Sequence, residues 1–217
     1  MGLKSHSRVL PRLELIFISL LSLALASCGG GVGSGSVGTM GSPRVLQGRV
    51  HGGQQPVYKS VIQLYAVGTD YGDQSDGTAT PLIGTTVQTA RDGSFSITGD
   101  YTCPTPDAEV YIVATGGSPG LGPNTSNTAL AMMAALGSCN TLFTNALTTF
   151  IYIDEVTTAA SVYSLAQFMG TNAGSPGGSM GATGGSTSVG LINAMAMVNN
   201  LVDTTTGVAP GLSLPSD

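Results

Sequence analysis

Short segments in which apolar and polar residues alternate, separated by turn residues, fill the chain between residues 45 and 115. A period of two places alternate side chains on one face, which is typical of a half-buried β-strand. Strands are predicted over 45–50, 60–67, 82–90, 94–98 and 109–115. Such an arrangement predicts an antiparallel β-sandwich, so the expected fold class is mostly β, with helices added after the sheets.

The turn at Asp92-Gly93 precedes the alternating residues Phe95 and Ile97, and glycine readily supplies the positive φ that such a turn requires. Together with the glycine-x-valine of the first strand, this hairpin resembles the carboxypeptidase-regulatory-like, transthyretin-like β-sandwich family. The resemblance covers 44–117. It implies a module that stabilises, spaces or binds and that carries no catalytic residue.

A loop, a short helix, a strand and a longer helix are predicted in the segment 118–170, and all of them are expected to pack on the sandwich. The short helix is expected over 128–136, an Ala, Met and Leu run, with Gly137 as its stop. Asp154 is expected to cap a helix that extends to Met169.

A Gly/Ser-rich linker is expected over 171–187, an amphipathic helix capped by Ser188 over 188–203, and coil over 204–217. The helix places Leu191, Met195, Val198 and Val202 on one face. Three partners are open for that face: the sandwich, another chain, or further C-terminal sequence.

The N-terminus carries Lys4, Arg8 and Arg12, followed by an apolar run over 15–26 that is shorter than the ~20 residues of a membrane-spanning helix. The run ends in Leu25-Ala26-Ser27-Cys28, which resembles the lipobox of bacterial lipoproteins. That family implies removal of residues 1–27, a lipid on Cys28, and a tether over 28–43. The alternative is an ordinary signal peptide with an incidental cysteine.

The residue after Cys28 is Gly29 rather than aspartate, which resembles the signal for sorting to the outer membrane. The complete layout of lipobox, β-sandwich and helical tail also resembles uncharacterised surface lipoproteins of environmental bacteria. Both resemblances predict a lipid-anchored protein on the periplasmic or outer face of that membrane.

Without residues 1–27 the chain contains four basic and eleven acidic residues. An acidic chain without a Lys/Arg cluster argues against nucleic acid as a partner and against electrostatic docking on anionic lipid. The expected partners are therefore the membrane, through the lipid on Cys28, and a protein or glycan ligand.

Cys103 and Cys139 remain as a pair in an exported protein, where disulfides persist, and they predict a disulfide. A metal site is the alternative. Two such distant cysteines, with His51 as the remaining nitrogen ligand, make a poor zinc set, so no metal or other cofactor is predicted.

Two Gly-x-Ser-x-Gly matches are centred on Ser118 and Ser179. A nucleophile elbow needs a preceding strand, a following helix and a later histidine, whereas His51 precedes both serines. Asp154 and Glu155 are adjacent, and helix capping with the helix dipole explains both. No catalytic residue is assigned.

Asp70, Asp73 and Asp76 lie in one loop whose spacing differs from that of an EF-hand, so a solvated turn is favoured over calcium binding. Four tyrosines offer a sugar-stacking face as an alternative to ordinary strand positions: Tyr58, Tyr65, Tyr71 and Tyr101.

The expected function is that of a non-catalytic, membrane-anchored structural or binding module. A glycan-binding accessory lipoprotein is the alternative, favoured by exposed aromatic residues on one sheet face. A hydrolase is the third hypothesis, which requires a pocket that holds His51 with two carboxylates.

Overall fold

The computed structural model describes residues 45–69, 79–98, 101–121, 125–144, 150–170 and 180–212. The strands in these ranges are β1 (Val45–Gly52), β2 (Gln55–Tyr58), β3 (Val61–Ala66), β4 (Gly68–Thr69), β5 (Thr80–Pro81), β6 (Val87–Gln88), β7 (Ser94–Thr98), β8 (Glu109–Thr115), β9 (Ser118–Pro119), β10 (Ala131–Ser138), β11 (Phe150–Ile153) and β12 (Gly181–Ala182). The helices are α1 (Thr141–Thr144), α2 (Glu155–Leu165) and α3 (Val189–Leu201), with 3-10 turns at Ala166–Phe168 and Gly185–Thr187. The predicted mostly β fold class with added helices is confirmed.

Two sheets form the sandwich. In sheet I, β1 lies between β11 and β7, and its end also pairs with β2, which pairs in turn with β9. In sheet II, β8 lies between β10 and β3, and β3 pairs on its other side with β5 and β6. Most of these pairs are antiparallel, whereas β1 and β11 run parallel.

The first hydrophobic core fills the space between the two sheets. Alternate residues of each strand point into it, so that Val50 of sheet I and Leu64 and Ile112 of sheet II have no exposed surface. This is the burial pattern expected from strands with a period of two.

A third layer, formed by α2 and α3, lies on the outer face of sheet II. A second core there joins Tyr111 and Val113 of β8 to residues of both helices. The predicted apolar face of α3 is confirmed, because Leu191, Met195, Val198 and Val202 are all buried. Of the three partners left open for this helix, it packs on the sandwich.

The helix predicted over 128–136 is wrong, because this segment contributes strand β10. Met132 and Ala134 point into the first core, and Met133 and Ala135 into the second. A strand that is buried on both faces has no polar alternation, so its apolar run cannot be distinguished from a helix by periodicity. Gly137 stops no helix; it lies at a bulge in β10 with a φ of 80°.

Several predicted boundaries also change. The sandwich does not end at residue 117, because β10 and β11 are strands of its two sheets. The predicted strand over 82–90 is reduced to β6, and β5 precedes it. Part of the linker predicted over 171–187 is packed structure, since Met180 and Ala182 belong to the second core. The predicted C-terminal coil begins with a turn in which Asp203 pairs with Val208.

Both predicted helix caps are confirmed. The Asp154 carboxylate accepts a hydrogen bond from Thr157 N at 2.8 Å, and the Thr157 hydroxyl accepts one from Asp154 N at 2.9 Å. This reciprocal pair is a capping box. Ser188 accepts from Leu191 N at the start of α3.

Candidate functional site

Sheet I buries one face in the first core and exposes the other, which we call the open face. Along β1, exposed Val45, Gln47 and Arg49 alternate with buried Leu46 and Val50. Helices α2 and α3 pack on the outer side of sheet II, whereas Gln47, Arg49 and Phe150 of the other face of sheet I are exposed. The open face consists of Val45, Gln47, Arg49, His51, Tyr58, Ser94, Ser96, Thr98, Phe150 and Tyr152.

Three rings form a row on the open face. The Phe150 and Tyr152 ring centroids lie 5.3 Å apart with the planes tilted by 56°, and the His51 ring lies 6.1 Å from Tyr152 at the same tilt. Phe150 is 37% exposed, and the other two residues are half-buried. Aromatic pairs in tilted contact stabilise one another while keeping part of each ring accessible.

Strand pairing sets polar side chains beside these rings. The parallel register of β1 and β11 aligns Gln47 with Phe150 and Arg49 with Tyr152. The antiparallel register of β1 and β7 aligns Arg49 with Ser94 on the other side. The open face therefore combines a row of rings with a row of amide, guanidinium and hydroxyl groups, all held by hydrogen-bonded strands.

Among the described residues, Arg49 makes one weak charged contact. Its Nη2 lies 3.9 Å from Asp92 Oδ2, and both side chains are about half exposed. Asp92 already accepts hydrogen bonds from the Ser94 hydroxyl at 2.6 Å and the Ser94 amide at 3.1 Å. These two bonds, with a smaller contribution from Arg49, lower the pKa of Asp92. Exposed ion pairs of this kind contribute ~0–1 kcal/mol.

Two further cationic side chains lie close to the Tyr58 ring. Lys59 Nζ lies 5.3 Å and the Arg91 guanidinium 5.6 Å from the centroid of the Tyr58 ring. Both distances are within the range of cation–π attraction. Every Lys and Arg side chain of the described residues therefore lies on or beside sheet I.

His51 is fixed by packing. Its Nε2 is buried and has no hydrogen-bond partner among the described residues. The neighbouring Tyr152 is held through its amide, which donates to Thr204 O at 2.8 Å. The C-terminal turn thus supports the strand that presents the rings, and His51 packs against them.

The carboxylates that a catalytic role for His51 would need have structural partners. Asp154 follows β11 and caps α2, and burial is the main cause that raises its pKa, against the hydrogen bonds from Thr157. Glu155 accepts a hydrogen bond from Gly53 N and so ties the β1–β2 hairpin to the start of α2. Both groups act in the fold, as the capping interpretation predicts for Asp154.

Ser118 does not occupy a nucleophile elbow. It lies in β9, pairs with Tyr58, and donates from its hydroxyl to Leu121 O at 3.3 Å. The next element after β9 in the described part of the chain is strand β10 rather than a helix. Ser179, the second match, lies outside the described residues.

Of the four tyrosines, those that the structure describes form no common face, in agreement with the favoured interpretation of ordinary strand positions rather than the sugar-stacking alternative. Tyr101 is 1% exposed, and Tyr65 stacks on Tyr111 at 5.5 Å on the side of sheet II that the helices cover. Tyr71 lies outside the described residues, and only Tyr58 of the four belongs to the open face. The sequence prediction missed Phe150 and Tyr152 as surface residues, although their spacing of two in a strand was the signal that could identify them.

The disulfide prediction is confirmed. Cys103 and Cys139 are bonded, with their Cα atoms 6.0 Å apart, and both side chains are buried in the first core. Cys139 N also donates to Ala108 O at 2.7 Å. The bond thus joins the segment before β8 to the end of β10, next to backbone hydrogen bonds that make the same connection.

Glu109 is a second unusual group. It is 4% exposed at the start of β8, and its Oε2 has no hydrogen-bond partner among the described residues. Burial, with a smaller contribution from the negative charge of Asp107, raises the pKa of Glu109 to about 7. The carboxyl lies on the covered side of sheet II, away from the open face.

Two predicted sites fall outside the described residues, namely the lipid site Cys28 and the calcium alternative at Asp70, Asp73 and Asp76. Within the described ranges, no group of three or more His, Cys, Asp or Glu side chains is placed to hold a metal ion. None of the helices in these ranges combines the length and apolar character needed to cross a bilayer. The chain matches no known family model, no curated protein and no solved structure.

Proposed function

We propose that this chain is a non-catalytic lipoprotein of the outer membrane that displays a binding face on a rigid sandwich. The observation that carries the proposal is the asymmetry of the two sheets: helices cover sheet II, whereas sheet I exposes rings and cations. Binding residues placed on hydrogen-bonded strands keep their positions without a ligand. An exposed apolar patch rimmed by polar groups is typical of an interaction site.

The lipid anchor is supported by the charged start, the short apolar run and the Leu-Ala-Ser-Cys sequence. The buried disulfide fits a protein that folds outside the cytoplasm. One acyl chain alone would hold the protein only marginally, so two or three chains on Cys28 are expected. The transthyretin-like family assignment is part of the same proposal, supported by the Asp92-Gly93 turn that leads into β7 and by the antiparallel pairing of β7 with β1.

Metabolic labelling with an alkyne fatty acid tests the anchor. We expect label on the full-length chain, loss of label in Cys28→Ser, and accumulation of the uncut precursor when globomycin blocks lipoprotein signal cleavage. Ser27→Ala is the matched control, since it keeps a small residue before the cysteine. An unlabelled, freely soluble periplasmic protein would contradict the anchor.

A glycan-binding accessory lipoprotein is the second candidate, and the row of Phe150, Tyr152 and His51 specifically favours it. Sugar rings have apolar C–H faces that stack on aromatic rings, while their hydroxyls need hydrogen-bonding neighbours such as Gln47 and Ser94. Retention of the full-length protein by immobilised polysaccharides tests this candidate. Phe150→Ala should weaken retention, and Tyr163→Ala, an exposed tyrosine of α2, should not.

A further inference from the structure

We propose that the open face binds a glycan that carries carboxylate groups, with the sugar rings on Phe150 and Tyr152 and a carboxylate on Arg49. This inference rests on the proposed binding function and names the chemical class of its ligand. Three observations carry it: the row of rings, the weak internal engagement of Arg49, and the position of the cations.

The rings determine the shape of the ligand. Phe150 and Tyr152 are two residues apart on one strand, a step of about 6.6 Å along the backbone. Their centroids lie 5.3 Å apart, and His51 extends the row beyond Tyr152. Such a row, with neighbouring ring planes tilted by 56°, offers successive apolar surfaces to a linear ligand, and sugars of a polymer present successive apolar faces to it.

Arg49 determines the charge of the ligand. It is aligned with Tyr152 across the β1–β11 pair, and its guanidinium approaches Asp92 near the start of β7, on the other side of β1. Its contact with Asp92 is a single long approach of 3.9 Å to Oδ2, while Ser94 donates two hydrogen bonds to Oδ1 of the same carboxylate. The planar guanidinium can therefore turn to a ligand carboxylate, which it binds with two parallel hydrogen bonds.

The distribution of charge supports the same choice. The chain as a whole is acidic, yet Arg49, Lys59 and Arg91 all lie on or beside sheet I. Cations grouped on one sheet of an acidic protein attract an anionic ligand to that sheet and help to orient it there. Hydroxyl and amide groups offer hydrogen bonds to the sugar hydroxyls from Gln47, Ser94, Ser96 and Thr98.

A carboxylated glycan fits better than a nucleic acid. Nucleic-acid binding depends on the neutralisation of many phosphates by a basic stripe, and the three cations of the described residues provide a small fraction of that charge. Polymers of uronic acids instead alternate apolar ring faces with carboxylates, which matches rings beside one weakly engaged guanidinium.

Affinity electrophoresis of the full-length protein in detergent tests the proposal, with polygalacturonate, alginate or hyaluronate in the gel. Methyl-esterified polygalacturonate is the matched neutral ligand, and single-stranded DNA is the alternative polyanion. We expect retardation by at least one uronic-acid polymer that weakens as salt is added, because salt screens exposed charges.

Arg49→Gln should weaken binding to the acidic polymer about tenfold, the loss of one charge-assisted contact, and leave any binding of the ester unchanged. Arg49→Lys keeps the positive charge but cannot form the two parallel hydrogen bonds of a guanidinium, so we expect its affinity to lie between those of the wild type and Arg49→Gln. Phe150→Ala with Tyr152→Ala should weaken binding about tenfold or more, and Tyr163→Ala should change nothing. If the ring variants fail to fold, the exposed Arg49 variants still decide the outcome.

The outcomes separate this inference from the function on which it rests. Equal affinity for the ester and the acid would overturn the carboxylate inference and leave glycan binding in place. Equal affinity for DNA and uronic-acid polymers at the same salt concentration would replace the glycan with a nucleic acid. Lack of retardation by all the polysaccharides would overturn the inference and the glycan-binding candidate, while fatty-acid labelling judges the anchor independently.

Discussion

The amide of Ala135 donates a hydrogen bond to the Ser161 hydroxyl at 3.1 Å, so a helix rather than another strand satisfies this edge of sheet II. One turn earlier in α2, the Thr158 hydroxyl accepts from Met133 N at 3.0 Å. Unpaired amides on a sheet edge invite pairing with other chains, and cover by a helix is one way to prevent it. The hydroxyls of Thr158 and Ser161, three residues apart on α2, thus accept the hydrogen bonds from alternate amides of β10 that a neighbouring strand would otherwise accept.

Ser161→Ala should therefore destabilise the protein by about 1–3 kcal/mol, because it leaves the buried Ala135 amide without a partner. Chemical denaturation with urea measures the change in the free energy of unfolding.

Ser164→Ala is the matched control for this prediction, because it makes the same change one turn later in the same helix. Ser164 is also buried, but its hydroxyl has no hydrogen-bond partner among the described residues. Removing that hydroxyl breaks no bond, so the variant should be at least as stable as the wild-type protein. Equal stabilities of the two variants would contradict the role of Ser161.

The sequence correctly predicts strands that have one buried and one solvent-exposed face, and it gives a wrong prediction where both faces are buried. β1 and β7 alternate exposed with buried residues, and both were predicted at or near their observed bounds. β10 is packed between two cores, and its Ala, Leu and Met residues have high helix propensity, so local pattern and propensity both predict a helix. Tertiary burial overrides them.

The open face was less predictable for a different reason. Phe150 and Tyr152 meet Gln47 and Arg49 through the pairing of strands about a hundred residues apart in sequence, and alternation does not reveal the partner of a strand. The sugar-stacking alternative for the tyrosines could not be judged from the sequence, because residue type does not say which face of which sheet a strand residue occupies. The disulfide prediction succeeded because the lipid expected on Cys28 leaves Cys103 and Cys139 as the remaining pair.

The Cys103–Cys139 bond should be a major source of stability. Replacing both residues with alanine removes the constraint on a loop of about 37 residues, for which chain entropy gives a loss of about 4 kcal/mol. Urea denaturation of the variant and the wild-type protein measures the loss. Alkylation of the unfolded protein followed by mass measurement should find these two cysteines protected before reduction and both modified after it. Modification of both without reductant would contradict the bond.

Glu109 should make stability fall as pH rises from about 4.5 to 7. Its folded pKa of about 7 exceeds the ordinary value of 4.5, so the folded protein retains a proton that the unfolded chain has lost. Below pH 4.5 Glu109 is protonated in both states and does not lower the free energy of unfolding. As the pH rises through this window the free energy of unfolding falls, by at most about 3 kcal/mol above pH 7.

Glu109→Gln removes this dependence. The free energy of unfolding of the variant minus that of the wild-type protein should therefore be larger at pH 8 than at pH 5. Asp107→Asn is the matched control, because it removes an exposed neighbouring charge and should reproduce only a small part of the effect. If the difference between variant and wild type is the same at both pH values, Glu109 does not titrate as described.

Gly48 is the point at which β1 comes closest to its neighbours on both sides. It pairs with Phe95 in β7 and Ile151 in β11, and a Cβ at this position would meet both the Phe95 ring and the Ile151 carbonyl oxygen. Gly48→Ala should therefore destabilise the protein by about 1–3 kcal/mol, since the backbone carbonyl cannot move without breaking the strand pair. Thermal unfolding followed by circular dichroism should show a lower midpoint for this variant.

Gly84→Ala is the matched control for Gly48→Ala, because a Cβ there meets no atom of the described residues within 4 Å and should leave the midpoint unchanged. Loss of the β1–β11 pair would also displace Tyr152 relative to Arg49, so Gly48→Ala should weaken ligand binding at the open face, whereas Gly84→Ala should not. A Gly48→Ala protein as stable as the wild type would show that the two flanking strands have room for a side chain that the observed packing excludes.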